Sequence, residues 1–488
     1  LSFISTGNPR LYLMNERTPA TSGLQHNLKQ RHMTMIAFGG VIGAGLFVGS
    51  GVVIQATGPA VVISFLTTGL LVVLVMRMLG EMAAAMPAVG SFYEYARLAF
   101  SDRPQLGELA AFLSGWMYWY FWVIVVALEA VAGANLIQYW LPELPSWLVS
   151  LVLLVALTLS NLISVKSFGE FEFWFAAIKV AAIAVFLLLA TCFVIGLWPG
   201  ISPSVANLTA HGGFAPKGWL VVATGAVACT GFYFGAEIVT IAAAETAEPA
   251  KAVARATSSV ISRVLVFYIG SILLVVSLVP WNSPAITTPY VSALKLMHIP
   301  FAATLMNAVI LTAVLSALNS GLYASSRMLF ALTRRGDAPD SLARLSRNGV
   351  PTRAILLGTG FGYIAIIMSY VSPTTVFAFL VNSYGTVALF VYLLIAISQL
   401  KLRARLERED PARLRLRMWA YPYLTYLAIA GMLAIIIAMA FIPDQRLPLL
   451  FGLISLVILV LAYALRTRFG RRIAQVSIGI EAHEFAQL

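Results

Sequence analysis

Gly39-Gly40-Val41-Ile42-Gly43-Ala44-Gly45 and Gly231-Phe232-Tyr233-Phe234-Gly235-Ala236-Glu237 break two long apolar stretches with glycine. Inside a bilayer the backbone has no water to satisfy its N–H and C=O groups. A spanning helix is therefore interrupted only where protein shelters the freed groups or a site uses them. Paired, glycine-interrupted segments at corresponding places in two halves of a chain point to the substrate site of a secondary transporter.

Outward from these breaks, the composition sets the class. The 488 residues are 60% hydrophobic and 11% charged, with a mean hydropathy of +0.88. A soluble core cannot hold that many apolar side chains. The apolar runs are continuous, whereas barrel strands alternate over about ten residues. The fold class is an all-α polytopic membrane protein.

Twelve spans are read near 34–57, 59–79, 108–137, 147–164, 171–197, 218–243, 258–280, 300–332, 354–371, 374–399, 419–441 and 447–465. Each is long enough for a ~30 Å hydrocarbon core. An even number puts both termini on one side. With that side cytoplasmic, 28 of the 32 Lys and Arg lie inside, Lys217, Lys295 and Arg446 lie outside, and Lys179 lies in the membrane. The positive-inside rule thus accounts for the net charge of +12, and no nucleic-acid partner is inferred. The polar N-terminal segment lacks the features of a cleavable signal, and Met14 is a candidate start. Cys192 and Cys229 sit in apolar runs and read as packing, and no cofactor or metal cluster is evident.

The organisation read from these runs is a cytoplasmic tail at 1–33, a transport core at 34–399, a cytoplasmic loop at 400–418, two further helices at 419–465, and a cytoplasmic tail at 466–488. The breaks fall in spans 1 and 6. That offset of five predicts two five-helix repeats, about 34–197 and 218–399, the second inverted because five is odd.

Several residues bear on chemistry. Without side chains at Gly43 and Gly45 the chain can leave helical geometry and aim N–H donors at a carboxylate. The same glycines also fit close helix packing through small residues. Glu237, inside an apolar span, could hold a substrate ammonium indirectly, stabilise the broken backbone, or take a proton. Phe232, Tyr233 and Phe234 could wall a pocket or simply pack. Lys179 lies too deep to snorkel, so it either exchanges a proton or serves as a fixed cation in place of sodium. Glu129 is a third intramembrane charge, read as pairing or network support. Ser316, Asn319 and Ser320 could reach a central ion-like site or join helices. Arg77 and Glu81, one turn apart, read as a structural pair.

Thr34-Met35-Ile36 followed by Gly40-Val41-Ile42-Gly43-Ala44-Gly45-Leu46-Phe47 resembles helix 1 of the amino acid permeases of the amino acid–polyamine–organocation superfamily. Four further stretches carry the same resemblance: Arg77-Met78-Leu79-Gly80-Glu81-Met82, Ser167-Phe168-Gly169-Glu170-Phe171-Glu172-Phe173-Trp174, Ala236-Glu237 through Glu245-Thr246, and Asn319-Ser320-Gly321-Leu322-Tyr323. It extends over about 24–465 and is strongest toward bacterial 4-aminobutyrate (GABA) permeases. It implies a twelve-helix LeuT-type 5+5 inverted repeat with discontinuous helices 1 and 6. It also implies proton-coupled uptake across the bacterial cytoplasmic membrane. A monomer or homodimer is expected, and, with no paired catalytic motif in the chain, no enzymatic activity.

By that resemblance, N–H groups of Ile42, Gly43, Ala44 and Gly45 take the substrate carboxylate. Carbonyls around Gly231, Phe232, Tyr233 and Phe234 take the amino group, with Glu237 in the same motif. Lys179 stands at a sodium-like site, where it and Glu129 are the candidates for proton coupling. Glu245 matches a second acid of the helix 6 motif. Many relatives read Phe-Ser-Phe-x-Gly-x-Glu at the second break, so here an aromatic is missing at Gly231 and bulk is added at Phe232. That departure bears on the substrate, and proline, alanine, serine or aromatic amino acids stand as alternatives to GABA. A receptor that binds without transporting is the alternative from another class.

Overall fold

The computed structural model describes residues 28–43, 45–88, 90–198, 204–246, 251–253 and 265–485, and all regular structure in them is helical. In chain order the α-helices are α1 (Gln30–Gly39), α2 (Ser50–Thr57), α3 (Val61–Ala85), α4 (Phe92–Ala99), α5 (Pro104–Ile137), α6 (Ser146–Ile163), α7 (Val165–Val194) and α8 (Trp219–Tyr233). There follow α9 (Ile238–Ala242), α10 (Ser271–Leu278), α11 (Pro289–Leu296), α12 (Ala302–Arg334), α13 (Thr352–Val371), α14 (Pro373–Glu409), α15 (Tyr423–Phe441) and α16 (Pro443–Phe485). Among the described residues, ten helical segments are long and apolar enough to cross a membrane, and 45–57 and 266–278 are shorter apolar helices at the places of the first and seventh expected spans.

Local chemistry fixes the helix starts. The Ser164 hydroxyl accepts the Ser167 N–H at 3.0 Å and caps α7, while α5 and α11 open on Pro104 and Pro289. α5 and α12 form the central pair. A Cβ on Gly321 of α12 would come within 2.9 Å of Val126 and 3.0 Å of Trp122 on α5, so the missing side chain sets their approach.

Two details differ from the sequence reading. α14 runs ten residues past the expected end at 399, because Arg403–Glu407 and Arg405–Glu409 form i,i+4 ion pairs, each at 2.9 Å. Arg77 and Glu81 do not pair. Glu81 is buried and accepts hydrogen bonds from Arg403, from Gln399 at 2.8 Å and from the Met418 N–H at 2.5 Å. Arg77 instead donates to the Arg417 carbonyl at 2.8 Å and lies over Trp419. A guanidinium from a distant helix reaches a buried carboxylate with better geometry than a same-face neighbour does.

Candidate functional site

The two breaks touch each other. α1 ends with the Gly40 N–H on the Ile36 carbonyl at 3.0 Å, and Gly45–Gly49 then forms a π-helical turn that leads into α2. α8 ends at Tyr233, Phe234 is extended, Gly235 has φ +118°, and α9 begins at Ile238. A Cβ on Gly40 would stand 2.5 Å from the Gly235 carbonyl oxygen, and a Cβ on Gly235 would overlap the Gly40 carbonyl. Backbone meets backbone here, so only glycine fits either position.

Four of the groups freed by the breaks have partners among the described residues. The Tyr268 hydroxyl lies 2.8 Å from both the Val41 and the Phe232 carbonyls, bridging the two breaks. The Gly43 N–H donates to the Val41 carbonyl at 3.0 Å. Glu237 Oε2 accepts the Gly235 N–H and the Tyr392 hydroxyl, each at 3.0 Å. Of the three uses open to Glu237, this geometry serves the shape of the second break.

The three aromatics after Gly231 diverge. Phe232 lies against the first break: a Cβ on Gly45 would be 2.5 Å from its ring, and one on Gly49 2.8 Å. Tyr233 turns into helix packing, with its hydroxyl on the Phe65 carbonyl at 2.9 Å and its ring stacked on Tyr268 at 4.5 Å. Phe234 packs on α5 and α14, with ring centroids 4.1 Å from Phe121 and 4.8 Å from Tyr392. Gly231 is half-buried at the end of α8.

A charged cluster lies beside the first break. Lys179 is fully buried, and its Nζ donates to the Ile42 carbonyl at 2.6 Å and the Ser316 hydroxyl at 2.9 Å. Ser316 in turn donates to Glu172 Oε1 at 2.5 Å. Asn319 donates to Glu172 Oε2 at 3.2 Å, and the Asn161 amide donates to Asn319 Oδ1 at 2.8 Å. Glu129 approaches from α5. Its Oε1 is 3.6 Å from where a Cβ on Gly43 would sit, and its buried Oε2 has no hydrogen-bond partner among the described residues. Lys179 therefore ties α7, α12 and the first break together, with Glu129 close to its charge.

Thus Ile42, Gly43, Lys179 and Glu129 are brought together; Gly45 and Phe232 meet beside them; Ala44 lies outside the described residues. The roles of two residues escaped the sequence reading. Glu172 stands seven residues before Lys179, which puts both on one face of α7, and that spacing is legible in the sequence. Tyr268 carries no such signal, because its role comes from tertiary placement.

A second buried ion pair lies near the start of α1. Glu245 Oε1 accepts from Arg327 at 2.8 Å and from the Tyr323 hydroxyl at 3.0 Å, and the Glu245 carbonyl accepts the Leu28 N–H at 3.2 Å. The neighbouring His32 is also buried. Its Nδ1 accepts the Lys29 N–H at 3.3 Å, its Nε2 stands 3.2 Å from Glu170, and desolvation holds its pKa below the ordinary value against the pull of that carboxylate.

The amino acid permease family pattern matches residues 32–477 of this chain. The chain belongs to the amino acid permease family. The gamma-aminobutyric acid permease of Bacillus subtilis (strain 168) is 52% identical over 450 residues, covering 92% of this permease and 95% of the relative. That of Escherichia coli (strain K12) is 47% identical, covering 86% and 89%. The aromatic amino acid transport protein AroP of Corynebacterium glutamicum is 41% identical, covering 86% and 90%. Among solved structures, the permease is similar to the Eremococcus coleocola manganese transporter, with a TM-score of 0.53 at 14% identity over 89% of this chain and 92% of the other. That likeness concerns the fold alone.

Proposed function

We propose that this permease imports 4-aminobutyrate together with a proton by alternating access, through a twelve-span LeuT-type fold of two inverted five-helix repeats. The observation that carries the reading is the crossing of the two breaks at Gly40 and Gly235, with the Lys179 ammonium on the Ile42 carbonyl beside it. Two broken helices with opposed ends form a site for a zwitterion, one end offering N–H donors and the other carbonyls.

In this reading the substrate carboxylate replaces the Val41 carbonyl as acceptor for the Gly43 N–H, joined by donors at Ile42, Ala44 and Gly45. The Val41 carbonyl keeps the Tyr268 hydroxyl. The ammonium lies toward Gly231 to Phe234, with Glu237 holding that backbone in shape. Lys179 with the carboxylates of Glu129 and Glu172 carries a net charge of one negative unit when all are ionised. One added proton neutralises the buried cluster, which suits coupling to a proton gradient. The cytoplasmic position of both termini and the 34–197 and 218–399 repeats belong to the same proposal.

The relatives support 4-aminobutyrate as substrate, since this chain is 52% and 47% identical to two gamma-aminobutyric acid permeases. The 41% identity to an aromatic amino acid transport protein keeps a second reading in view. Competition against labelled 4-aminobutyrate in proteoliposomes separates them. Unlabelled 4-aminobutyrate is expected to compete far better than phenylalanine, proline, alanine or serine; dominance by phenylalanine overturns the assignment. Saturable binding without accumulation would support a receptor instead.

A further inference from the structure

Glu172 is a fully buried carboxylate that the substrate path described above does not touch. It lies two helical turns before Lys179 on α7, roughly 10 Å nearer the N-terminal end of that helix. The Lys179 side chain leans back along the same direction, as helical side chains do. Ser316 closes the gap from α12: its hydroxyl accepts from Lys179 Nζ at 2.9 Å and donates to Glu172 Oε1 at 2.5 Å. The other carboxylate oxygen is held by Asn319, whose amide is oriented by Asn161 from α6. Donor, bridge and acceptor are thus fixed by three helices.

We propose that Ser316 and Glu172 form a proton relay that takes the proton from Lys179 toward the N-terminal end of α7. This rests on the proton-coupled reading above and adds the route. The step balances within the chain. Lys179 Nζ gives a proton to Ser316 Oγ as Ser316 gives its own proton to Glu172 Oε1, converting an ammonium and a carboxylate into an amine and a carboxylic acid. Glu172 then releases the proton to water on the side where α7 begins, and the serine ends unchanged. Among the described residues, the groups facing the Lys179 ammonium include Glu172 from its own helix, Glu129 from α5, the Ile42 carbonyl from the first break and the Ser316 hydroxyl from α12. Glu129 adjoins Gly43, on the substrate side, and Glu172 lies on the other; the relay assigns loading to the first and release to the second.

A purely structural Glu172 would support binding and net transport alike, so the test compares two modes of transport in proteoliposomes. Counterflow exchanges labelled 4-aminobutyrate for unlabelled with no net proton movement, whereas accumulation under an imposed pH gradient requires proton release. Ser316→Ala and Glu172→Gln are expected to reduce accumulation at least tenfold more than counterflow, and Ser316→Thr, which keeps the hydroxyl, to restore it. The accumulation of Glu172→Gln should also lose its dependence on internal pH. If the parent accumulates substrate and both variants do so equally well, the relay is wrong while the proton-coupled reading stands. If Ser316→Ala loses counterflow and accumulation in proportion, its role is structural and the relay is overturned. If the parent itself shows counterflow without accumulation, proton coupling fails, and the relay with it.

Discussion

Replacing Gly235 by alanine tests whether the contact between the two breaks is required. The added Cβ would overlap the Gly40 carbonyl oxygen, and the backbone there has φ +118°. A non-glycine residue held in such a region costs about 1–3 kcal/mol, and forcing a methyl into a closed contact adds about 1–3 kcal/mol. Together they weigh about 2–6 kcal/mol against the crossed conformation. At about 1.4 kcal/mol per decade, transport should fall at least about 25-fold. Gly213→Ala serves as the control: its φ is +87° but no atom lies within 4 Å of the added Cβ, so it carries backbone strain alone, in the connection between α7 and α8. The assay is initial uptake of labelled 4-aminobutyrate, normalised to monodisperse protein. Uptake by Gly235→Ala within twofold of the parent would refute the claim that the breaks must touch.

Gly45→Ala would place a methyl 2.5 Å from the Phe232 ring. It should raise the half-saturating concentration of substrate, and Phe232→Ala should recover part of that loss in the double variant; additive effects would show that the pair is not coupled. Arg327→Gln strands the buried Glu245 carboxylate and should cost about 3–5 kcal/mol. Adding Glu245→Gln should restore part of the melting temperature, and a double variant less stable than Arg327→Gln would contradict this. For His32, whose folded pKa lies below its ordinary 6.5, the sign is fixed: below that pH the unfolded chain binds a proton that the folded chain resists, because burial penalises the charged ring, and protonating Nδ1 would also forfeit the Lys29 N–H bond. Stability should therefore fall as pH drops from 7.5 to 5.5, and His32→Asn should flatten the trend in detergent inactivation half-life. A parental half-life unchanged over that range would remove the effect.

The sequence revealed the helical class and the two breaks because both follow from rules that act locally. Long apolar runs must span, and glycine inside them marks a special backbone. Lys179, Glu129 and Glu237 stood out because charge in a membrane is costly. Glu172 was equally visible on the Lys179 face of α7, yet it sat near the expected edge of its span, where a carboxylate needs no explanation. Arg403 lay beyond an expected helix end, so its bond to Glu81 was hidden until α14 proved longer. The divergence of Phe232, Tyr233 and Phe234 was hidden for another reason. Consecutive side chains at a break follow the local backbone, which periodicity cannot supply.

The central claim is that a zwitterion bound between the two breaks is driven by protons through the Lys179 cluster. Its most direct test is accumulation of labelled 4-aminobutyrate in proteoliposomes on imposing an inward proton gradient, with Lys179→Ala alongside. The parent should accumulate substrate, that accumulation should collapse with the gradient, and the variant should show none. Binding without accumulation by the parent, or undiminished accumulation by Lys179→Ala, would contradict it.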